Sequence, residues 1–320
     1  MKRKIIVDTD PGHDDALAIL LAAQHFDLLG VTTVFGNQAV EKTTRNALQL
    51  LELAELVDVP VIKGNGKPLV QETRYGSYAH GKSGLDGPVL PEPRRSPRDG
   101  HASDFIIEMA HAHKKITLVP IGPLTNIALA LRKDPSIVEE IEEISLMGGT
   151  TMVGNSTPVA ELNVWCDPEA AHIVFTSGIP IKMVGLNLTR QTYADESVIE
   201  KFRGLGSNTG KAIAELLTFY TERVRKLFGL RGASLHDPCA VAWLIDPSLI
   251  EFKQMHVAVE LQGKLTRGMT VCDQRNLPDT LTFGETDAIV PPQKPNAQVG
   301  ITINVEEFIN LLIDSISVYP

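Results

Sequence analysis

Residues 8–15, DTDPGHDD, place four carboxylates within eight residues, directly after the apolar run at residues 5–7. Carboxylates this close together repel one another unless a cation lies among them. The last two acids could simply begin a helix, where the helix dipole favours negative charge. That explanation leaves out Asp8 and Asp10. The pattern therefore favours a metal site, and its all-oxygen ligands suit Ca2+ or Mg2+ better than zinc.

Two further polar clusters could serve the same chemistry. His236 and Asp237 precede an apolar, helix-like stretch, where each residue alone would be an ordinary histidine or an ordinary helix cap. Asn155, Glu161 and Asn163 lie together in a loop-like segment. They supply the hydrogen-bond donors and acceptors that the vicinal hydroxyls of a sugar require, although a polar turn explains them equally well.

Composition and charge exclude several classes of protein. The chain has 320 residues, of which 43% are hydrophobic and 22% charged, and its formal net charge is -9. No overall positive field would therefore attract nucleic acid or an anionic membrane. No apolar run approaches the length of a membrane span, and the amino terminus is too briefly apolar for a signal peptide. Cys166, Cys239 and Cys272 are far apart, which suits a reducing cytoplasm.

Short apolar runs alternate with longer amphipathic segments along the chain. The short runs predict strands buried on both faces, at residues 4–7, 28–34, 59–62, 116–119, 144–147 and 181–184. The longer segments predict helices at residues 14–25, 40–54, 102–113, 124–133, 168–176 and 210–227. This alternation predicts an α/β fold with an open, mostly parallel, doubly wound (Rossmann-like) sheet flanked by helices, which binds ligands beyond the carboxyl ends of its strands.

Two segments, residues 71–99 and 278–298, are rich in proline, glycine and charge and predict long loops. Neither has the character of a linker between domains. We therefore expect a single domain over residues 1–320.

The polar motifs, taken together and in their order, resemble those of the inosine-uridine preferring nucleoside hydrolase family. The acidic segment is the family's signature, whereas the other motifs would each be weak alone. The matching segments run essentially end to end, at residues 8–15, 36–37, 80–87, 120–126, 147–149, 155–163 and 236–238. The resemblance implies the nucleoside hydrolase fold and the hydrolysis of ribonucleosides to free base and ribose.

The resemblance also implies a ligand set for Ca2+. Asp10, Asp15 and Asp237 match the family's metal-binding carboxylates, and the backbone carbonyl of Ile121 completes the protein ligands. We expect Asp10 to act in addition as the general base for the attacking water. Asp8 is expected only to support the others.

The remaining matched residues divide between the two halves of a nucleoside. The residues expected to hold the ribose are Asp14, Asn37, Met152, Asn155, Glu161 and Asn163, with Met152 as an apolar contact. The base is expected to lie against His80 and His236. A histidine near neutral pKa is a suitable proton donor, so we expect His236 to neutralise the departing base.

Hydrolysis of an N-glycosidic bond fits this set of groups. Positive charge develops on the ribosyl ring as the base leaves, in an oxocarbenium-like transition state that nearby carboxylates stabilise. Ca2+ can hold both a water and the ribose hydroxyls, which orients the attack and lowers the pKa of the water. The resemblance further implies a homo-oligomer, either a tetramer or a dimer, and a role in nucleoside salvage.

The preferred base is less well defined. Tyr220, Val224 and Phe228 are spaced to face one way on and just after the predicted helix at residues 210–227. They form either a wall over the base or a buried helical stripe. Pyrimidine-preferring members of the family carry a polar residue and a tyrosine where this chain has Val224 and Phe228. That difference favours a broad or purine-tolerant specificity.

Two other functions stay open. An apolar strand followed by Asp8-x-Asp10 is also typical of Mg2+-dependent phosphatases of the haloacid dehalogenase type, although those have Thr or Val where Gly12 stands. The chain could also bind a nucleoside with Ca2+ and leave it intact. Every matched catalytic position is retained, which favours the enzyme.

Overall fold

One eight-stranded sheet runs through the middle of the molecule. The computed structural model describes residues 2–275, 277, 284 and 288–320. The strands are β1 (Lys4–Thr9), β2 (Asp27–Thr33), β3 (Val61–Lys63), β4 (Ile116–Pro120), β5 (Ile141–Met147), β6 (Ile181–Val184), β7 (Tyr193–Ala194), β8 (Ala233–Ser234), β9 (Ile250–Met255), β10 (Val257–Val259), β11 (Thr270–Cys272) and β12 (Ala297–Ile303). The helices are α1 (His13–His25), α2 (Val40–Leu53), α3 (Ser77–His80), α4 (Ala102–His113), α5 (Thr125–Lys133), α6 (Leu162–Cys166), α7 (Pro168–Phe175), α8 (Leu186–Thr189), α9 (Glu196–Gly204), α10 (Asn208–Phe228), α11 (Pro238–Ile245) and α12 (Val305–Ile316).

The order of the strands determines where a ligand can bind. The large sheet has the order β3-β2-β1-β4-β5-β6-β12-β9, and neighbours are parallel except for β12 with β9. The chain runs outward from β1 to β3 on one side and then crosses to β4, β5 and β6 on the other. The direction therefore reverses between β1 and β4, and a crevice opens at the carboxyl ends of such a strand pair.

Apolar side chains cover both faces of the sheet. Ile5 and Val7 of β1 pack into a cluster with α1, α2, α10 and α11, whereas Ile6 packs into a second cluster with α4, α5 and α7. All three side chains are fully buried. Burial on both faces is the reason that the strands appear in the sequence as unbroken Ile/Val runs. The predicted doubly wound α/β fold is confirmed.

Many boundaries differ from the sequence prediction by a few residues, and those of β3 and α10 have clear local chemical reasons. The third strand begins at Val61 instead of residue 59, because Pro60 has no N–H to pair, although its carbonyl accepts from the Val31 N–H at 2.9 Å. Helix α10 begins two residues early, since the Ser207 hydroxyl accepts from the Gly210 N–H at 3.0 Å. It ends at Phe228 and is capped by Gly229, whose φ of +66° suits a left-handed cap.

The two predicted loops contain regular structure. Residues 71–99 include the short helix α3, and Arg98 forms an isolated bridge with Ile62. Of the second segment, residues 278–283 and 285–287 lie outside the described part of the chain, and β12 already begins at Ala297. Within the described residues, no helix combines the length and apolarity needed to cross a membrane.

A buried hydrogen-bond network connects the sheet to α11, the helix that follows His236 and Asp237. The Ser145 hydroxyl on β5 donates to the Ala240 carbonyl and accepts from the Trp243 indole N–H, both at 2.6 Å. Ser145→Ala leaves the buried Trp243 indole N–H unpaired and removes the second hydrogen bond to the Ala240 carbonyl, so we expect the free energy of unfolding to fall by about 2 kcal/mol. Urea denaturation measures this loss. The exposed Ser317→Ala is the control and should stay within about 0.5 kcal/mol of the parent.

Candidate active site

A cavity of about 650 Å³ opens where β1, β4 and β5 end. Most of the residues predicted for the site line it: Asp10, Asp14, Asn37, His80, Ile121, Asn155, Glu161, Asn163, Tyr220, Phe228, His236 and Asp237. Two predicted residues do not. Asp15 is fully buried behind the lining, and Met152 is 66% exposed. The sheet thus gathers into one place polar groups that are as much as 227 residues apart in the chain.

Three carboxylates form a tight cluster beside the cavity, with Asp14 and Asp237 in its lining and Asp15 buried behind them. Asp14, Asp15 and Asp237 each offer one oxygen, and these oxygens lie within 4.8 Å of one another. Asp10 is buried beside them. The ion pairs found among the described residues all involve other acids, so no lysine or arginine there balances this charge.

Burial and mutual repulsion disfavour the charged state of this cluster. Burial, together with the Asp15 charge, raises the pKa of Asp14 to about 7. The pKa values of Asp10 and Asp237 are raised well above their ordinary values, mainly by burial and further by neighbouring carboxylates. Such groups ionise together only if a cation joins them. An all-oxygen donor set of this kind fits a hard divalent metal ion.

The backbone holds the Asp10 carboxylate between two glycines. The Asn37 N–H donates to Asp10 Oδ2 at 2.6 Å. A Cβ atom on Gly36 would lie 2.0 Å from Asp10 Oδ2, and one on Gly122 would lie 2.7 Å from Asp10 Oδ1. Glycine is therefore required at both positions, because any side chain would displace the carboxylate.

The other carboxylates connect distant parts of the chain. Asp15 Oδ2 accepts from the Gly12 N–H at 2.8 Å, which closes the turn before α1. Asp14 Oδ2 accepts from the His236 N–H at 3.0 Å. The start of α1 is thereby joined directly to the segment that contains Asp237.

The opposite wall of the cavity is organised by Glu161 and Asn163. Glu161 caps α6 by accepting from the Asn163 N–H at 2.9 Å, and it accepts from the Gly149 N–H at the same distance. The Asn163 amide group donates to the carbonyls of Ile121, at 2.9 Å, and Met147, at 3.1 Å. The carbonyl predicted to bind metal therefore lies at the cavity and is oriented by a predicted ribose-binding residue.

Two histidines and an aromatic helix form the other end of the cavity. His236 Nδ1 lies 2.6 Å from the Thr189 hydroxyl, and burial, reinforced by the charge of Arg190, lowers the pKa of His236 to about 4. Burial also lowers the pKa of His80 well below its ordinary value. Both rings are therefore neutral at neutral pH.

The helix α10 both fills the core and lines the cavity. Tyr220 and Val224 are about 95% buried, whereas Phe228 is 52% exposed and meets Tyr78 edge to face at 5.9 Å between ring centroids. All of these side chains line the cavity. The two interpretations of this stripe, a buried helical face and a wall of the site, therefore describe different parts of one surface.

Comparison with known proteins agrees with this geometry. A family model described as "Inosine-uridine preferring nucleoside hydrolase" matches residues 5–310. The pyrimidine-specific ribonucleoside hydrolase RihA of Shewanella sp. (strain MR-7) is 45% identical over 100% of this chain and 98% of its own. This chain belongs to the inosine-uridine preferring nucleoside hydrolase family.

Two solved structures extend the similarity to the whole fold. A purine-preferring ribonucleoside hydrolase from Gardnerella vaginalis superposes with a TM-score of 0.89 at 35% identity, covering 98% of both chains. The plant nucleoside hydrolase PpNRh1 superposes with a TM-score of 0.88 at 34% identity, covering 99% of both chains. The chain is a nucleoside N-ribohydrolase with the nucleoside hydrolase fold.

Several cavity residues escaped the sequence analysis. Met147, and not Met152, lines the cavity, because it is the last residue of β5 and precedes the Gly148-Gly149 turn. Arg190 also lines it and donates to the carbonyls of Val153 and Gly154, beside Asn155. The rule that ligands bind beyond strand ends could have identified Met147, because it is the last residue of a predicted strand. Arg190 follows α8, a helix that the sequence analysis did not predict, so no sequence signal placed it at the cavity.

The raised pKa values predict an unusual dependence of stability on pH. The pKa values of Asp8 and Asp14 are both raised to about 7, chiefly by burial. Between about pH 4 and pH 7 the folded state therefore binds more protons than the unfolded chain, and stability without a divalent cation falls as pH rises through this window.

A divalent cation should reverse this loss. At 100 times its dissociation constant it contributes about 2.7 kcal/mol of stability, and its affinity is greater at pH 7.5 than at pH 5, since the ligands must be ionised. Thermal unfolding at both pH values, with chelator and with added cation, measures the effect. An increase in midpoint that is equal at the two pH values would contradict this prediction.

Proposed function

We propose that this nucleoside hydrolase uses Ca2+ to cleave the N-glycosidic bond of ribonucleosides. The observation that carries the proposal is the cluster of Asp14, Asp15 and Asp237, buried without a cationic partner among the described residues beside the cavity. Ca2+ accepts six to eight oxygen ligands in flexible geometry, whereas Mg2+ demands a near-ideal octahedron. Three carboxylates with the nearby Asp10 and the Ile121 carbonyl suit the larger ion.

When bound, Ca2+ would balance the carboxylates, bind the vicinal hydroxyls of the ribose and lower the pKa of the attacking water. Asp10 takes the proton from that water as its oxygen attacks C1′ of the ribose. The raised pKa of the Asp10 carboxylate and its fixed orientation between Gly36 and Gly122 support this role. Glu161 and the neighbouring carboxylates stabilise the positive charge that develops on the ribosyl ring.

His236 gives a proton to the base as the C1′–N bond breaks and the bonding electrons go to the base. The Thr189 hydroxyl lies 2.6 Å from His236 Nδ1, and we assign it as the donor, which places the proton of the neutral ring on Nε2. Nε2 has no hydrogen-bond partner among the described residues and belongs to a side chain that lines the cavity. A neutral imidazole can thus act as the donor although its pKa is low.

We infer that the enzyme accepts both pyrimidine and purine nucleosides. Relatives that are 41–45% identical to this chain are named pyrimidine-specific, and a solved structure at 35% identity is named purine-preferring. Val224 and Phe228 offer the base an apolar surface without hydrogen-bonding groups. The cavity, at about 650 Å³, is large enough for either class of nucleoside.

We also infer one domain, a homo-oligomer and a cytoplasmic location. Residues from Asp10 to Asp237 line the same cavity, and strands from β1 to β12 belong to the same eight-stranded sheet, which supports one domain. The three cysteines are free, which is compatible with a reducing compartment. Light scattering on the purified protein tests the oligomeric state.

The decisive experiment measures ribose released from uridine, cytidine, inosine and adenosine. We expect release from all four, its loss on adding a Ca2+ chelator, and its recovery with Ca2+ in excess. Asp15→Asn should lower the apparent affinity for Ca2+ by at least about tenfold, because it removes a charged ligand. If nucleosides bind and stay intact, the proposed hydrolysis is refuted. Phosphate released from sugar phosphates would favour the phosphatase alternative.

A second experiment tests the proton donor. His236→Ala should slow inosine hydrolysis by about a hundredfold, a typical contribution of general acid catalysis. It should slow p-nitrophenyl ribofuranoside hydrolysis only slightly, since that leaving group departs as a stable anion. Initial rates on the two substrates measure the difference, and equal slowing of both would exclude this role.

A further inference from the structure

His13 belongs to the acidic segment, yet neither the metal site nor the ribose site uses it. Its ring is fully buried at the start of α1. It stacks on His80 at 5.2 Å, on Phe219 at 5.4 Å and on Tyr220 at 5.3 Å between centroids. His13 therefore lies at the centre of an aromatic cluster, defined by these four residues, that joins α1 to α3 and α10.

Both ring nitrogens of His13 have defined neighbours. Nε2 lies 2.8 Å from the Asp86 carbonyl oxygen, and Nδ1 lies 2.9 Å from His80 Nδ1. A carbonyl only accepts, so His13 Nε2 must be the nitrogen that holds the proton. In the neutral ring Nδ1 is then an acceptor, and His80 Nδ1 must donate to it.

The alternative proton arrangements are less favourable. The His13 backbone N–H also points at His80 Nδ1, at 3.2 Å. If His80 Nδ1 accepted from it, the proton of the His13 ring would have to lie on Nδ1. The bare His13 Nε2 would then face the Asp86 carbonyl oxygen, also an acceptor, at the shorter distance of 2.8 Å. A doubly protonated His13 would place a cation in a fully buried aromatic cluster. Protonation of His80 Nδ1 leaves the buried His13 backbone N–H without an acceptor, which has a cost, but it satisfies the two shorter contacts, at 2.8 and 2.9 Å, and sacrifices only the longest, at 3.2 Å.

The partners that hold His13 are themselves fixed. The Asp86 carboxylate accepts from the backbone N–H groups of Lys82 and Ser83, both at 2.9 Å, which orients the turn that supplies its carbonyl. A Cβ atom on Gly12 would lie 2.6 Å from His80 Nδ1, so the His80 ring packs directly against the backbone of the acidic segment.

We propose that His13 is a positioning residue that fixes the ring and the tautomer of His80, so that His80 Nε2 offers the base a hydrogen-bond acceptor. Nε2 has no partner among the described residues, and His80 lines the cavity. The inference rests on the proposed function, because it requires a base in this cavity. It gives the two histidines complementary tasks: His236 donates a proton and His80 accepts a hydrogen bond from an N–H of the base.

Variants of His13 distinguish the effect of its ring nitrogens from the effect of its stacking. His13→Phe keeps the stacking and removes both nitrogens, while His13→Asn keeps an acceptor near Nδ1. His25→Phe, on the same helix but bonded to Ser315, is the matched control.

We expect His13→Phe to lower kcat/KM for cytidine and inosine about tenfold, the value of one buried hydrogen bond, and His13→Asn to recover part of this loss. p-Nitrophenyl ribofuranoside should be affected less than about threefold, since its leaving group offers no N–H.

A double-mutant cycle tests whether His13 acts through His80. In the His80→Ala background, His13→Phe should change kcat/KM for cytidine by less than about twofold, because its target is gone. A further tenfold loss in that background would overturn the proposal, as would equal losses on all three substrates. If His13→Phe does not fold, as judged by its thermal midpoint, the protonation of the His80 ring in the wild-type protein tests the inference without it.

A spectroscopic measurement separates this inference from the proposed function. The 15N shifts of the His80 ring in the intact wild-type protein report which nitrogen carries the proton, whether or not any nucleoside is hydrolysed. We expect a protonated Nδ1 and a bare Nε2, and a loss of this preference in His13→Phe. A proton on Nε2 in the wild type would overturn the inference, whereas absence of ribose release would refute only the proposed function.

Discussion

The repulsion among four buried carboxylates is the constraint on which the rest of the structure depends. Asp10, Asp14, Asp15 and Asp237 lie together without a cationic side chain from the described residues, and burial raises the pKa of each one. Such a cluster is costly to fold unless each oxygen is held and a cation is shared. The glycines at positions 36 and 122, and the N–H groups of Gly12, Asn37 and His236, meet the first requirement.

The order of the strands places further polar groups beside these carboxylates. Strands β1 and β4 are neighbours and parallel, so the segments that follow them meet at one edge of the sheet. Asp10 and the Ile121 carbonyl come from these two ends, and Asn163 bonds to that carbonyl from the opposite wall. The polar groups that suit a ribose therefore surround the carboxylates because of strand order, a property of the whole sheet.

The base end of the cavity depends on the same short segment. His13 lies between Asp10 and Asp14 in sequence, yet its ring packs against α10 and the α3 region. A displacement of α1 would thus disturb the carboxylate cluster and the His80 ring together. This packing explains why one eight-residue segment is so informative about the whole cavity, since Asp10 and Asp14 line the cavity and His13 contacts His80, which lines it as well.

Local sequence indicated the strands and helices around the acidic segment, the acidic segment itself and the polar clusters at residues 155–163 and 236–237. Asn37, His80 and Ile121 came only from the resemblance to the family. Burial on both faces leaves a direct signature in Ile/Val runs, and chemistry confined to adjacent residues is visible as spacing. The tertiary structure alone decided that Met152 is exposed, that Arg190 lies beside the loop of Asn155, and that His13 meets the Asp86 carbonyl. These contacts join residues far apart in the chain, or depend on which way a loop turns, and neither property is encoded in the spacing of nearby residues.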